Sequence, residues 1–130
     1  MSRKNRACPC GTGEPYAECC GRLHRGEATA ATAEQLMRSR FSAFAVADEE
    51  YLLRTWHPDT RPPSIEFDPG QRWTSLEILG RTGGGLLHRE GTVEFVARYR
   101  IGGQDGEMRE NSRFLRDGEQ WLYLTALGTR

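Results

Sequence analysis

All four cysteines of this chain, Cys8, Cys10, Cys19 and Cys20, fall within thirteen residues, and none follows them. A disulfide framework staples distant loops and spreads its cysteines accordingly. Here each bridge would close a short ring, and a bond between the neighbours Cys19 and Cys20 would strain the peptide that joins them. The other use of four clustered thiols is tetrahedral coordination of one ion, with metal–sulfur bonds of about 2.3 Å. The residues between them suit that use. Pro9 holds the first pair extended, Gly11 and Gly13 permit tight turns, and the eight residues from Gly11 to Glu18 bring the chain back. Cys19 and Cys20 are read as opening a helical turn, whose step of about 100° lets neighbouring side chains converge on one ion. So short a segment has no core of its own, and metal binding would supply the free energy that folds it. Zinc suits four thiolates, and iron suits the same donor set. Arg3, Arg6 and Arg22 lie near enough in sequence to offset the negative charge of such a site.

The rest of the chain is ordinary in composition. Of 130 residues, 37% are hydrophobic and 28% charged, enough for one modest core. Eighteen basic and eighteen acidic side chains cancel, which argues against a whole-surface nucleic-acid binder and against sequence-specific DNA binding. The charge is uneven, however: residues 1–26 carry five basic and two acidic side chains, residues 27–130 thirteen and sixteen. A small basic head thus precedes a mildly acidic body, and Arg3, Lys4, Arg6, Arg22 and Arg25 offer at most a weak, salt-dependent contact to RNA. No apolar run approaches the roughly 18–20 residues of a membrane span. The basic start lacks the apolar stretch of a signal peptide, so a reducing cytoplasm is the expected location.

Two units are expected: a knuckle over residues 1–26 and a body over 27–130, with Gly26 to Thr32 as the linker. Thr32 should cap a helix, with Gln35 completing a capping box. Ala33, Met37, Phe41 and Phe44 form its apolar stripe, and Glu34 pairs with Arg38 on the outer face. Asp48 caps a second helix running through Tyr51 and Leu52 to Trp56, and His57-Pro58 ends it. Proline keeps the next stretch loop-like, with an edge strand around Ile65 to Phe67. The period then becomes two: strands are expected at Trp73 to Leu79, Thr92 to Ile101, Glu107 to Arg116 and Gln120 to Thr125. Turns fall at Gly102 to Gly106 and at Asp117-Gly118, while Gly83-Gly84-Gly85 lacks the Lys-Ser/Thr of a nucleotide loop and reads as a flexible connection. Helices first and antiparallel strands later make an α+β chain.

Cys8-Pro9-Cys10-Gly11-Thr12-Gly13, followed by Tyr16 and Cys19-Cys20-Gly21, resembles the SEC-C motif, a metal knuckle best known at the C-terminus of the bacterial preprotein-translocase ATPase. There it is associated with the secretion chaperone and the ribosome. The resemblance implies Cys8, Cys10, Cys19 and Cys20 as metal ligands, although Glu14, Pro15 and Glu18 stand where that motif usually has lysines. Ala33 to Phe44, Tyr51-Leu52 with Thr55-Trp56-His57-Pro58, and Glu110 with Ser112-Arg113-Phe114 before Trp121 are similar to the YchJ family of bacterial proteins. That likeness implies a cone shaped like nuclear transport factor 2, with helices packed into the hollow of a curved antiparallel sheet. Some relatives carry a second C-terminal knuckle; no cysteine here follows Cys20, so bivalent engagement of a partner is not expected.

Three functions remain on these residues. The first is a cytoplasmic adaptor or accessory factor whose knuckle binds a protein or ribosome-associated partner, with protein export as the setting the resemblance implies. The second is a binder of small molecules, or an enzyme, using the hollow of the cone. Its candidate lining residues are Arg40, Tyr51, His57, Tyr99, Glu110, Ser112 and Trp121, with Glu110 and His57 the acid–base pair such chemistry would use. The third is the weak RNA contact. No nucleophile–base order or phosphate-cradling loop stands out, so no catalytic residue is assigned.

Overall fold

The computed structural model describes residues 6–129. A 3-10 turn at Tyr16–Glu18 leads into α1 (Cys20–His24), followed by α2 (Ala33–Val46) and α3 (Glu49–Arg54). Four strands follow: β1 (Gln71–Gly83), β2 (Glu90–Ile101), β3 (Gln104–Asp117) and β4 (Gln120–Thr129). They pair in chain order and all antiparallel, giving the expected α+β architecture with one curved, open sheet.

Local chemistry starts α2 where the sequence places it. The Thr32 hydroxyl accepts from the Gln35 N–H at 3.1 Å. The Gln35 side chain reaches back one residue further than a standard capping box and accepts from Ala31 N–H at 2.7 Å. Asp48 caps α3 by accepting from Tyr51 N–H at 3.0 Å. This second helix stops at Arg54, two residues short of Trp56, because Thr55 to His57 leave it to cover the edge of β4. His57 N–H donates to Tyr123 O and Tyr123 N–H to Thr55 O, both at 2.8 Å. The unpaired groups of an edge strand are thereby partly satisfied.

The sheet curves because its ladder is irregular. Register shifts occur in β1 between Trp73 and Ser75 and between Ile78 and Gly80, and again where β3 meets β4. Such bulges bend a strand and raise its twist. The first also flips the alternation, so that Trp73, Leu76 and Ile78 all pack on the main core. That core holds Leu36, Met37 and Phe41 of α2 against Val93, Phe95 and Phe114. Trp121 is buried there as well, its indole N–H donating to Ala31 O at 3.2 Å.

Three further details differ from the sequence reading. No strand forms at Ile65 to Phe67: Ile65 N–H donates to Glu49 Oε2 at 2.8 Å, and Ile65 and Phe67 pack on a second cluster built on Leu23, Ala43, Tyr51 and Leu52. The turn after β2 is the pair Gly102-Gly103 alone, and β3 resumes at Gln104. The Gly83–Gly85 connection is packed rather than free. Gly84 O accepts from Ala33 N–H at 3.0 Å, and a Cβ on Gly84 would lie 2.8 Å from the Ala33 side chain, so the loop needs glycine for its approach to α2.

Candidate metal centre and interior cavity

The knuckle is a turn closed on itself. Cys8 N–H donates to Glu14 O at 2.8 Å, Gly11 N–H to Cys8 O at 3.2 Å and Tyr16 N–H to Arg6 O at 2.7 Å. Gly11 and Gly13 both sit at φ 88°, the left-handed region that glycine enters freely. Cys19 occupies the cap position of α1 and Cys20 its first turn, as their spacing predicts. The result brings all four Sγ atoms within 4.8 Å of one another. Cys10 and Cys19 Sγ are 3.7 Å apart, against about 3.8 Å for the edge of a tetrahedron with 2.3 Å metal–sulfur bonds. Four sulfurs so placed can hold one metal ion.

Crowding sets the thiols against each other. Hydrogen bonds from Cys10 and then Cys20, helped by the Ser42 hydroxyl and the Cys10 N–H, hold the Cys8 thiol far below its ordinary range. Cys20 is driven far up by those same sulfur–sulfur bonds, to Cys10 and then Cys8, and by burial. Burial is the first cause that raises Cys19. A divalent cation at their centre would supply the charge that lets all four thiols ionise together.

The knuckle is fastened to the helices at several points. Arg38 of α2 donates to Cys10 O at 2.9 Å, and the Ser42 hydroxyl lies 3.5 Å from Cys8 Sγ. Arg54 of α3 reaches Leu23 O and His24 O at 3.3 and 3.1 Å. His24 bridges Tyr16 OH, 2.5 Å from its Nδ1, and Ser39 O, 2.9 Å from its Nε2. Burial holds this imidazole below its usual pKa, so Nε2–H donates to Ser39 O and Nδ1 accepts from the tyrosine. Gly21 lies under the 3-10 turn, and a Cβ there would meet Tyr16 O at 2.6 Å. Residues 26–32 are no loose tether, since Ala30 is buried in the main core.

Among the described residues the cation that reaches the backbone of a cysteine is Arg38, on Cys10 O, and it comes from α2 rather than from the arginines flanking the cysteines in sequence. Arg25 is occupied by Glu27 and Ala17 O, at 2.7 and 2.8 Å, and Arg22 is exposed. Arg3 and Lys4 lie outside the described residues. Sequence reasoning missed Arg38, Ser39 and Ser42 as contacts to the knuckle. Their signal was polar side chains recurring three and four apart within an apolar helix; of the three, the sequence reading assigned only Arg38, with Glu34, to the outer face.

On the other side of α2 the cone contains a half-enclosed cavity of about 260 Å³. Arg40, Glu110 and Ser112 line it as expected. Tyr51, His57, Tyr99 and Trp121 do not. The Tyr51 hydroxyl bonds Ser39 at 2.7 Å on the knuckle side, and Trp121 is core. His57 Nδ1 accepts from Asp59 N–H at 3.1 Å in the loop beyond α3. Tyr99 packs edge-on to Trp73 at 5.2 Å and covers Gly106. The proposed pairing of Glu110 with His57 is therefore not formed. Glu110 instead accepts from the Ser112 hydroxyl at 2.6 Å and the Tyr123 hydroxyl at 3.3 Å. Burial, then the Glu110 charge, pushes the Tyr123 phenol up to about 12. The apolar walls that sequence reasoning missed include Phe41, Phe44, Trp56 and Trp73. Their convergence depends on the β1 bulge and on the departure of Thr55 to His57 from helix, neither of which periodicity shows.

A curved antiparallel sheet filled by helices, with a four-cysteine knuckle on its helical side, defines a nuclear-transport-factor-2-like protein with a SEC-C cluster. Residues 32–126 match the family described as YchJ, middle NTF2-like domain, and residues 5–22 match the SEC-C motif. The chain belongs to the YchJ family. A UPF0225 protein of Streptomyces avermitilis is 56% identical over 118 residues, covering 91% of this chain and 81% of its own. Another from Streptomyces coelicolor is 54% identical, covering 89% of this chain and 90% of its own. Among solved structures, a SEC-C motif containing protein of Rhodopseudomonas palustris superposes with a TM-score of 0.81 at 33% identity, over 96% of this chain and 100% of that one. One from Psychrobacter arcticus gives 0.78 at 26% identity, over 96% and 84%. No helix among the described residues is long and apolar enough to cross a membrane.

Proposed function

We propose that this is a cytoplasmic zinc-binding accessory protein whose metal-ordered knuckle docks a protein partner. The observation that carries the reading is the convergence of four cysteine sulfurs, one pair at 3.7 Å, on a single tetrahedral position. Zinc is preferred over iron because four thiolates closing a tetrahedron are its usual structural site, with no position left for substrate. Free thiols favour a reducing compartment. The metal therefore serves shape. It fixes the exposed turn Gly11 to Glu14 on the outside of α2, where its backbone can meet a partner. The SEC-C likeness makes a ribosome-associated or export-linked protein the natural class to test.

The test is affinity co-purification with the intact chain beside its Cys19→Ser and Cys20→Ser variants, with ribosomes pelleted separately. A partner retained by the native chain and lost by both variants, while the sheet keeps its circular dichroism, supports docking through the knuckle. A partner set unchanged by the substitutions contradicts it.

A further inference from the structure

Arg40 carries a buried charge that forms no direct ion pair among the described residues. Its side chain projects from α2 with the residue only 3% exposed. Nη1 donates to Leu52 O at 2.8 Å and to the Thr55 hydroxyl at 2.7 Å. The guanidinium carbon lies 5.0 Å from the Trp56 ring centre and 4.7 Å from that of Tyr123. These rings offer cation–π attraction but no counter-charge, and Arg40 forms no ion pair among the described residues. Burial draws its pKa down to about 10, which still leaves it charged at neutral pH. Nε and Nη2 have no hydrogen-bond acceptor among the described residues, and Arg40 lines the cavity. A buried cation without a partner is costly, and a guanidinium with free N–H groups is shaped to take a carboxylate.

Glu110 lines the same space and its charge favours the Arg40 cation across it, but the two form no ion pair among the described residues, and Glu110 Oε2 is held by two hydroxyls instead. Most of the remaining wall is apolar: Phe41, Phe44, Trp73, Phe95 and Met108. Apolar walls with a few placed polar groups, here Arg40, Glu110, Ser112 and Tyr123, are the usual make-up of a small-molecule site. At about 260 Å³ the space is a little under the roughly 300–1,000 Å³ of drug-sized pockets, which suits an acid with a single ring or a short branched chain.

We propose that the cone is a binding site for a small apolar monocarboxylate, its carboxylate held by Arg40 between Trp56 and Tyr123 and its hydrocarbon part against Phe41, Phe95 and Met108.

The experiment titrates the metal-loaded full chain with 3-phenylpropionate and, in parallel, with its uncharged amide. Fluorescence of Trp56 and Trp73 and the shift of the Arg40 Nε–H resonance report binding. The acid is expected to bind and the amide to bind roughly tenfold or more weakly, the worth of a charge-assisted hydrogen bond. Ala97→Leu, which fills the cavity and leaves Arg40 alone, should abolish binding of both. Arg40→Gln should erase the preference for the acid. If Arg40→Gln fails to fold, the acid-to-amide ratio and the Ala97→Leu variant decide the matter. Failure of the acid to bind, equal affinity for acid and amide, or binding undiminished in Ala97→Leu would each overturn the proposal. None of these outcomes bears on the metal knuckle, so the two readings fail separately.

Discussion

His24 shows how one buried side chain ties the knuckle to the body and makes that tie sensitive to pH. Its Nδ1 lies 3.8 Å from Asp48 Oδ2, and the Ser39 carbonyl, Asp48 and Cys8 favour the charged ring, but burial, aided by Arg54, outweighs them and keeps the ring neutral. The folded pKa therefore lies below the unfolded value of 6.5. As pH falls through 6.5, the unfolded chain takes up a proton that the folded chain refuses, so stability present above this range is lost below it. Thermal melts from pH 7.5 to 5.5 should show native protein above His24→Gln at the upper end, with the gap narrowing on acidification. Comparing the two proteins cancels the thiolate protonation they share. A gap constant across the range would contradict a neutral buried imidazole. At this scale the four-cysteine cluster was legible, because four cysteines in thirteen residues have few uses besides holding an ion. Ser42 and Arg38 were not, because nothing local in the sequence says which face of α2 meets the knuckle.

Among the elements, the end of α2 carries an avoidable strain. Ala47 closes the helix at φ 58°, ψ 46°, and Asp48 N–H donates to Ala43 O at 2.8 Å in the six-to-one pattern of a Schellman cap. Glycine normally takes this position, since a Cβ in the left-handed region costs about 1–2 kcal/mol. Ala47→Gly should stabilise the protein by about 0.5–1 kcal/mol after the added freedom of the unfolded chain is deducted. That would raise the melting temperature by roughly 2–5 °C. A lower melting temperature would show that Ala47 makes a packing contribution larger than its strain. Helix starts were readable because Thr32 and Asp48 act on their nearest neighbours. The bulges of β1 were hidden, since residues 73–79 alternate acceptably without one and only pairing with β2 reveals the inserted residue. The expected strand at Ile65 to Phe67 failed for a similar reason: its backbone donor finds Glu49, which is distant in sequence.

For the molecule as a whole, the order of helices and strands was enough to read an α+β chain, and the family motifs supplied the cone. What neither supplied was the relation of the parts. α2 is buried on both sides: Phe41 faces the sheet, Ser42 faces the cysteines, and Ala43 joins the cluster under α1 and α3. Cysteine cluster, helix and cavity wall are therefore mechanically adjacent, although 1–26 and 27–130 differ in charge and composition. The account stands on the four sulfurs sharing one ion. X-ray absorption at the zinc edge, on protein purified under reducing conditions without added metal, tests this most directly. One zinc per chain surrounded by four sulfurs at about 2.3 Å is the predicted result. Reduced protein free of metal, or an ion coordinated by nitrogen or oxygen in place of any of the four cysteines, would contradict it.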